Sequence, residues 1–561
     1  MERDRGARAT GRSRTHPPNP QLRIIVMIRR HRDRRRARGA AAGIAAALLL
    51  FGSAELLARA VGPPAAPLLA LGQTLIPLAP AAVIGPVIDL LGHNDKPVLI
   101  ACTGLAALAF GGLLGSLAHG RTRLAMMLLT IAGLVPVTAV LLQPDARPAD
   151  AVPTLVGLVL GLIAFRLLLR PPLRKPPLPG GPARAAGAST TAGASASAAD
   201  GPVGRADRRQ FLRLAGLIGA AGAAAVAAGQ TVASLVQDAG AAVARLVLPE
   251  PARKAAAIPA SASIDVDGVV PFVTDRTDFY RIDTVLAPPS IEPAEWSLRI
   301  HGMVDNEVTL TMDDVLDLPL EEHHITLTCV SNPVGGDLVG TATWLGYPIR
   351  ALLGRARPRR EADMVLSHSF DGFTASTPLP ALTDDRDALL AVGMNGGPLP
   401  PEHGFPARLV VPGLYGFVSA TKWVTELEVT RFDEKTAYWT DRGWDASAPI
   451  LVASRIEVPK PLATVSAGDL RAGGTAWAQR SGIERVEIRL DDGDWTEVTL
   501  AEEVTIDTWR QWRADFSEVE PGSHTLTVRA TDKDGNVQTA KRRDSIPNSA
   551  TGHHHIQFRA E

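Results

Sequence analysis

The sequence predicts an α-helical membrane anchor, then an α+β domain, then a β-sandwich. Three observations carry that order. Apolar runs of span length crowd residues 40–170, strand patterns mixed with Gly/Pro-rich loops fill 260–445, and short alternating strands between turn signals recur over 446–561. With 561 residues the chain has room for several domains. Its 58 basic and 58 acidic residues cancel, so no global basic field draws it to nucleic acid.

The membrane half reads in order. Residues 1–38 are a basic arm, with Arg29, Arg30, Arg32, Arg34, Arg35 and Arg36, too charged to fold alone and suited to the cytoplasmic side. Within 39–170, four spans are expected at 40–61, 97–118, 124–142 and 152–169, each near the about 20 residues that cross a bilayer. The stretch 62–96 is apolar but interrupted by Pro63, Pro64, Pro67, Pro77, Pro80 and Pro86. If it does not cross, Arg121, Arg123, Arg166, Arg170, Arg174 and Lys175 all fall inside, as the positive-inside rule prefers; the alternative is a six-span count. Residues 171–206 form a Pro, Ala, Gly and Ser linker.

Within 207–235, Asp207-Arg208-Arg209-Gln210-Phe211-Leu212 precedes a Gly/Ala-rich apolar run and resembles a twin-arginine export signal, here retained as a fifth span. The chain is therefore expected to be a multi-pass protein of the cell membrane, with the part after 260 on the extracytoplasmic side. His93 and His119 sit at span ends and no span has an interior histidine, so no haem is expected in this half.

The chemistry centres on residues 325–344, ITLTCVSNPVGGDLVGTATW. The β-branched run Ile325-Thr326-Leu327-Thr328 reads as a strand end, and Cys329 follows it at the mouth of a Gly/Pro/Asn loop. Cys102 lies in an apolar run, so the two cysteines are not expected to pair. A small buried hydrophobe is the plain reading of Cys329; a metal ligand or reactive thiol is the other. Downstream, residues 394–423 thread His403, Arg408 and Lys422 through an irregular Gly/Pro-rich path, the kind of long cationic loop that holds an anion or cofactor.

The motifs TLTC, MNG, PxxHGxPxRLVVPGxYG and TKW follow in the order found in the sulfite oxidase family of molybdenum enzymes, and the chain resembles that family from Phe279 to its C-terminus. The resemblance implies a sulfite-oxidase-type molybdopterin domain carrying a molybdenum-molybdopterin cofactor. Cys329 would be the metal-binding thiolate, since molybdenum needs soft sulfur donors, and His403, Arg408, Thr421 and Lys422 would hold the phosphate-bearing pterin. It further assigns pterin contacts to Phe279, Tyr280, Arg281, Ile282 and Asp283, a run that also reads as a plain edge strand, and to Asp371, which also reads as a turn-forming Asp-Gly. Animal and plant members carry an arginine soon after the cysteine that helps bind an anionic substrate; Cys329-Val330-Ser331-Asn332-Pro333-Val334 lacks it. They also place a tyrosine beside the metal, for which Tyr438, Arg442 and Trp444 are the candidate catalytic substitutes.

Thr311 is expected to cap a short helix whose first turn carries Asp313 and Asp314. Over 446–561, strands separated by turns such as Asp492-Gly493 and Asp534-Gly535-Asn536 resemble the immunoglobulin-like domain through which the family dimerises. His553, His554 and His555 have no spaced partners and read as a solvated terminal loop rather than a metal site. The expected partners are a small oxo donor or acceptor, an external electron carrier (a cytochrome or a quinone-linked one), the membrane and a second copy of the chain. The leading activity is sulfite-oxidase-like oxygen-atom transfer, the alternative an S-oxide reductase of methionine sulfoxide type. An alternative of another class is a cofactor-free binding module.

Overall fold

The computed structural model describes residues 20–76, 95–117, 121–144, 146–170, 211–225 and 238–561. They divide into two compact units, one built on the apolar helices and one that takes in all of 236–561.

The first unit contains the helices Pro20–Ala58, Asp95–Leu117, Thr122–Leu141 and Ala151–Leu169. The segments Arg35–Ala58, Lys96–Leu117, Thr122–Leu141 and Pro148–Leu169 are long and apolar enough to cross a membrane, in agreement with the four expected spans. The first helix begins at Pro20 and runs through Arg29–Arg36, where the sequence suggested an arm that would not fold alone. Arginine is a good helix former, and extending an existing helix avoids the cost of nucleation. Small residues set the packing: a Cβ on Gly39, Gly43, Gly52, Gly115 or Gly222 would overlap the facing helix backbone. Such close approach, rather than hydrophobic burial, is what holds helices together in lipid.

Residues 207–210 and 226–237 lie outside the described residues, and with them the paired arginines and part of the expected fifth span. The helix Phe211–Ala225 is apolar but shorter than the four spans. Residues 77–94 also lie outside, and with them most of the stretch expected not to cross. Its described part holds the helix Pro67–Leu75, whose nine residues are too few to span a bilayer.

In the second unit the strands before residue 446 are β1 (Ser297–Gly302), β2 (Val308–Thr311), β3 (Glu321–Thr328), β4 (Val339–Pro348), β5 (Met364–Ser369), β6 (Thr374–Pro378), β7 (Leu389–Met394), β8 (Gly397–Pro398), β9 (Arg408–Val410) and β10 (Val424–Thr430). One sheet has the order β2-β1-β10-β5-β6, the other β3-β4-β7-β8 with β9 paired to β7. The alternation read from the sequence places Leu298 and Ile300 of β1 inward, both fully buried. Each contributes roughly 1.5–3 kcal/mol by leaving water. Thr311 caps the helix Met312–Leu316 as expected: its hydroxyl accepts from the Asp314 N–H at 3.2 Å, and the Asp314 carboxylate accepts from the Thr311 N–H at 2.8 Å.

The C-terminal strands are β11 (Ala453–Val458), β12 (Thr464–Val465), β13 (Gly468–Trp477), β14 (Ile483–Leu490), β15 (Thr496–Glu497), β16 (Thr499–Leu500), β17 (Arg510–Val519), β18 (Gly522–Asp532) and β19 (His554–Ala560). Sheets β11-β13-β17-β16 and β12-β19-β18-β14-β15 enclose a core that includes Ile456, Val486, Trp512, Leu526 and Phe558, the expected sandwich. After the Asp534-Gly535-Asn536 turn, Val537 makes a single bridge to Thr531. One local expectation is corrected. The histidines read as a solvated loop instead lead into β19, where alternation with Ile556 and Phe558 buries one face. His553 Nε2 lies 2.9 Å from the Gln538 carbonyl, and its ring packs edge-on to Trp495.

β3 is an edge strand of its sheet, yet its edge is not open. The Thr326 N–H donates to the Asp507 carbonyl at 2.9 Å, Gln479 Nε2 donates to the Thr326 carbonyl at 3.2 Å, and the Trp509 N–H donates to the Thr326 hydroxyl at 2.8 Å. Sandwich loops thus satisfy backbone groups that an edge would leave to solvent.

Candidate active site

Thr328 and Val339 are the last pair of the β3–β4 ladder, and the ten residues between them form a closed loop. The Cys329 N–H donates to the Leu338 carbonyl at 3.0 Å, the Asn332 N–H to the Cys329 carbonyl at 3.1 Å, and the Leu338 N–H to Asn332 Oδ1 at 3.0 Å. Asn332 is therefore the organiser of the loop, an Asn side chain standing in for a turn partner. Cys329 is 8% exposed. Burial pushes its thiol up, while hydrogen bonds from Ser331 and the charge of Lys422 pull the other way. A thiol so placed keeps its proton until a cation competes for the sulfur.

Opposite charge gathers on three later segments. His403 ends a short 3₁₀ turn, Arg408 opens β9, and Lys422 lies just before β10. Gly404 links the first two with φ of 108°, and a Cβ there would press on Arg408 Cβ at 2.9 Å, so the left-handed turn lets the cations converge. Lys422 Nζ donates to Asp283 Oδ2 at 3.1 Å and to the Glu402 carbonyl at 2.8 Å. Arg281 Nε donates to the same Asp283 oxygen at 2.9 Å. Arg408 is 4% exposed, donates to the carbonyls of Leu409, His403 and Ala420, and lies 5.1 Å from the Trp344 ring. It has no carboxylate partner among the described residues.

Burial dominates the titration of these groups. It pulls Lys422 down to about 8, Arg408 to about 10 and His403 to about 3, the last helped by the neighbouring Lys422 and Arg408. Neutral His403 faces the Arg276 carbonyl through Nε2 at 3.0 Å, so Nε2 carries the proton and Nδ1 is a bare acceptor. That Nδ1 and Arg281 Nη2 are buried with no partner among the described residues. A phosphate-bearing pterin offers both an anion for the uncompensated cations and N–H donors for a bare imidazole nitrogen, so the residues present fit the cofactor.

The segment 279–283 is an irregular loop, not an edge strand. The Phe279 ring holds it in place, 5.2 Å from Tyr280, 5.4 Å from His403 and 5.7 Å from Trp344. Ile282 points away, 43% exposed. Asp371 accepts from the Phe373 N–H at 3.2 Å and Thr284 Oγ1 at 3.4 Å; burial, with the negative charge of Asp283, pushes its carboxyl up. Thr421 is pinned by a 2.7 Å hydrogen bond between its hydroxyl and that of Ser367, which fixes the start of the Lys422 turn.

Tyr438, Arg442 and Trp444 form an aromatic group with Phe373, Phe417 and Trp439; the Arg442 guanidinium lies 3.7 Å from the Tyr438 ring centre. Burial pushes the Tyr438 hydroxyl up, while the charge of Arg442 pulls the other way. Burial pushes the hydroxyls of Tyr280 and Tyr415 up. The Tyr415 hydroxyl is 2.7 Å from Ser549 Oγ.

The oxidoreductase molybdopterin binding domain family matches residues 285–439. Mouse mitochondrial sulfite oxidase is 28% identical over 302 residues, 45% of this chain and 55% of that protein. The chain thus spans about half the length of the sulfite oxidases it resembles. The uncharacterized oxidoreductase YuiH of Bacillus subtilis is 32% identical over 168 residues, 30% of this chain and 81% of YuiH. Among solved structures, the sulfane dehydrogenase SoxCD of Paracoccus pantotrophus is 22% identical with a TM-score of 0.46, covering 53% of this chain and 85% of that one. With its cysteine at a strand mouth, its buried cations and these relatives, the chain belongs to the sulfite oxidase family of molybdopterin-dependent oxidoreductases.

Proposed function

We propose that this protein is a membrane-anchored molybdopterin oxidoreductase that carries out oxygen-atom transfer on a small sulfur-containing substrate outside the cytoplasm. The observation that carries this reading is the convergence of buried Arg408 with Lys422 and half-buried Arg281 around the one carboxylate of Asp283, with the charge of Lys422 acting on the Cys329 thiol. When bound, the cofactor supplies a metal able to exchange an oxygen atom and two electrons with substrate. Cys329 serves as its protein sulfur ligand. His403, Arg408, Thr421, Lys422 and the turn Phe279 to Asp283 hold and orient the pterin, with Asp371 beside Asp283. Tyr438, Arg442 and Trp444 are the candidate catalytic residues toward substrate. Four apolar helices support a multi-pass anchor in the cell membrane, and the paired arginines Arg208 and Arg209 support export of the folded domain. Electrons pass to or from an external carrier, a cytochrome or quinone-linked protein, and the sandwich supplies a homodimer contact.

One observation favours reduction of an S-oxide over oxidation of sulfite. The loop that leaves Cys329, residues 330–338, contains no basic side chain and one acid, Asp337, which suits a neutral substrate better than an anion. The test is metal analysis of the full chain in detergent, then assays with sulfite and with methionine sulfoxide using artificial electron carriers. About one molybdenum per chain is expected from the single-site family architecture. Mature protein without molybdenum would leave the cofactor-free binding module as the better description.

A further inference from the structure

The sandwich does more than stand behind the catalytic domain. Two of its residues touch the loop that leaves Cys329. Gly335 has φ of 80°, and a Cβ built on it would overlap the His554 ring, so the left-handed turn of the loop rests on that imidazole. The ring is itself fixed: His554 Nδ1 accepts from the Ile456 N–H at 2.9 Å, which leaves the proton on Nε2, toward the loop. One residue on, the Gly336 carbonyl accepts from Arg455 Nη1 at 2.9 Å. Arg455 and Glu457 are a buried ion pair at 2.7 Å, and Glu457 also accepts from the Thr475 hydroxyl at 2.9 Å and the Val270 N–H at 2.7 Å. The strand that enters Cys329 is gripped at Thr326 by Asp507, Gln479 and Trp509. The thiol thus sits between two points of attachment, and both belong to the sandwich.

We infer that His554 and Arg455 are positioning residues for Cys329: the sandwich holds the cysteine loop in the one shape that presents the sulfur to the pterin side. This rests on the reading of Cys329 as the ligand, and it assigns to the histidine cluster a task distinct from metal binding. Packing of two domains would require apolar contact, which Val339, Trp477 and Trp509 already provide. It would not require a histidine seated on a left-handed glycine, nor a buried guanidinium aimed at the next carbonyl.

The test uses the full chain in detergent without cofactor and reads the alkylation rate of Cys329 by peptide-resolved mass spectrometry. The same chain unfolded in denaturant supplies the reference rate for a fully accessible Cys329. H554A, G335A and the charge-neutral pair R455M/E457Q each loosen one side of the loop, and each is expected to raise the rate about tenfold, the cost of one lost charge-assisted or buried contact. H554N, which keeps an acceptor for Ile456, is expected to recover part of the protection. G335A/H554A is expected to react no faster than the faster single variant, because the two changes break the same contact. Rates within twofold of the unaltered chain in all of the single and paired variants, or loss of the fold in every one of them, would overturn the inference. Absence of molybdenum from mature protein would overturn the proposed function while leaving the alkylation result standing, so the two failures are distinguishable.

Discussion

The cysteine loop and the cationic cradle, the two halves of the proposed site, are held by opposite means. The loop is nearly neutral and is shaped by backbone hydrogen bonds, Asn332 and the sandwich residues that touch Gly335 and Gly336. The cradle is charged beyond what Asp283 can neutralise, with Arg408 satisfied only by carbonyls and a ring face. A metal ligand must be placed to a fraction of an ångström, which geometry secures before anything binds. An anion needs attraction, and leaving cations short of partners reserves that attraction for it at some cost to the ligand-free fold.

Four experiments separate the two means. The largest effect is expected from Cys329→Ser: turnover falls by about 10³-fold, because a hard oxygen replaces the soft donor, while pterin released on denaturation stays near the unaltered level. Pterin lost along with turnover would show that the loop, and not the cradle, holds the cofactor. Next comes Arg408→Ala, in which pterin content at limiting cofactor should fall about 10- to 100-fold, the worth of one charge-assisted hydrogen bond in a buried site.

The third concerns pH. Burial, then the charges of His555, Arg455 and Arg542, pull His554 down to about 4 from an ordinary 6.5. Between those values the unfolded chain binds a proton that the folded chain does not, so stability is full above 6.5 and declines as pH falls toward 4. His403, pulled to about 3, contributes with the same sign. Unfolding midpoints of the unaltered chain and H554N across that window should show a shallower decline in the variant, and an equal slope would remove His554 from the account. The smallest effect is Thr311→Ala, which removes a helix cap remote from both regions and should cost about 1 kcal/mol by denaturant titration with no change in pterin content.

Much of this was legible from local pattern. Ile325 to Thr328 ending at Cys329, the cap at Thr311, the strand Ile483–Leu490 and the order His403, Arg408, Lys422 each follow from residues within a few positions of one another. What was not legible depends on distant partners. Phe279 to Asp283 alternates like a strand but is held irregular by Trp344 and His403. Three consecutive histidines look solvated until β18 pairs with β19 and Ile456 meets His554. Nor does any spacing reveal that the Tyr415 hydroxyl meets Ser549, far along the chain.

The seal that the sandwich makes along Thr326 has a consequence for handling the protein in pieces. A version truncated before residue 446 would bare the N–H and C=O of Thr326, three residues before Cys329, while Arg253 still covers the Glu321 end of β3, and the bared stretch would be a template for pairing with another copy. Such a fragment should gather into strand-linked aggregates and disulfide-crossed oligomers, so the C-terminal fifth is a guard against self-association as much as a part of the enzyme.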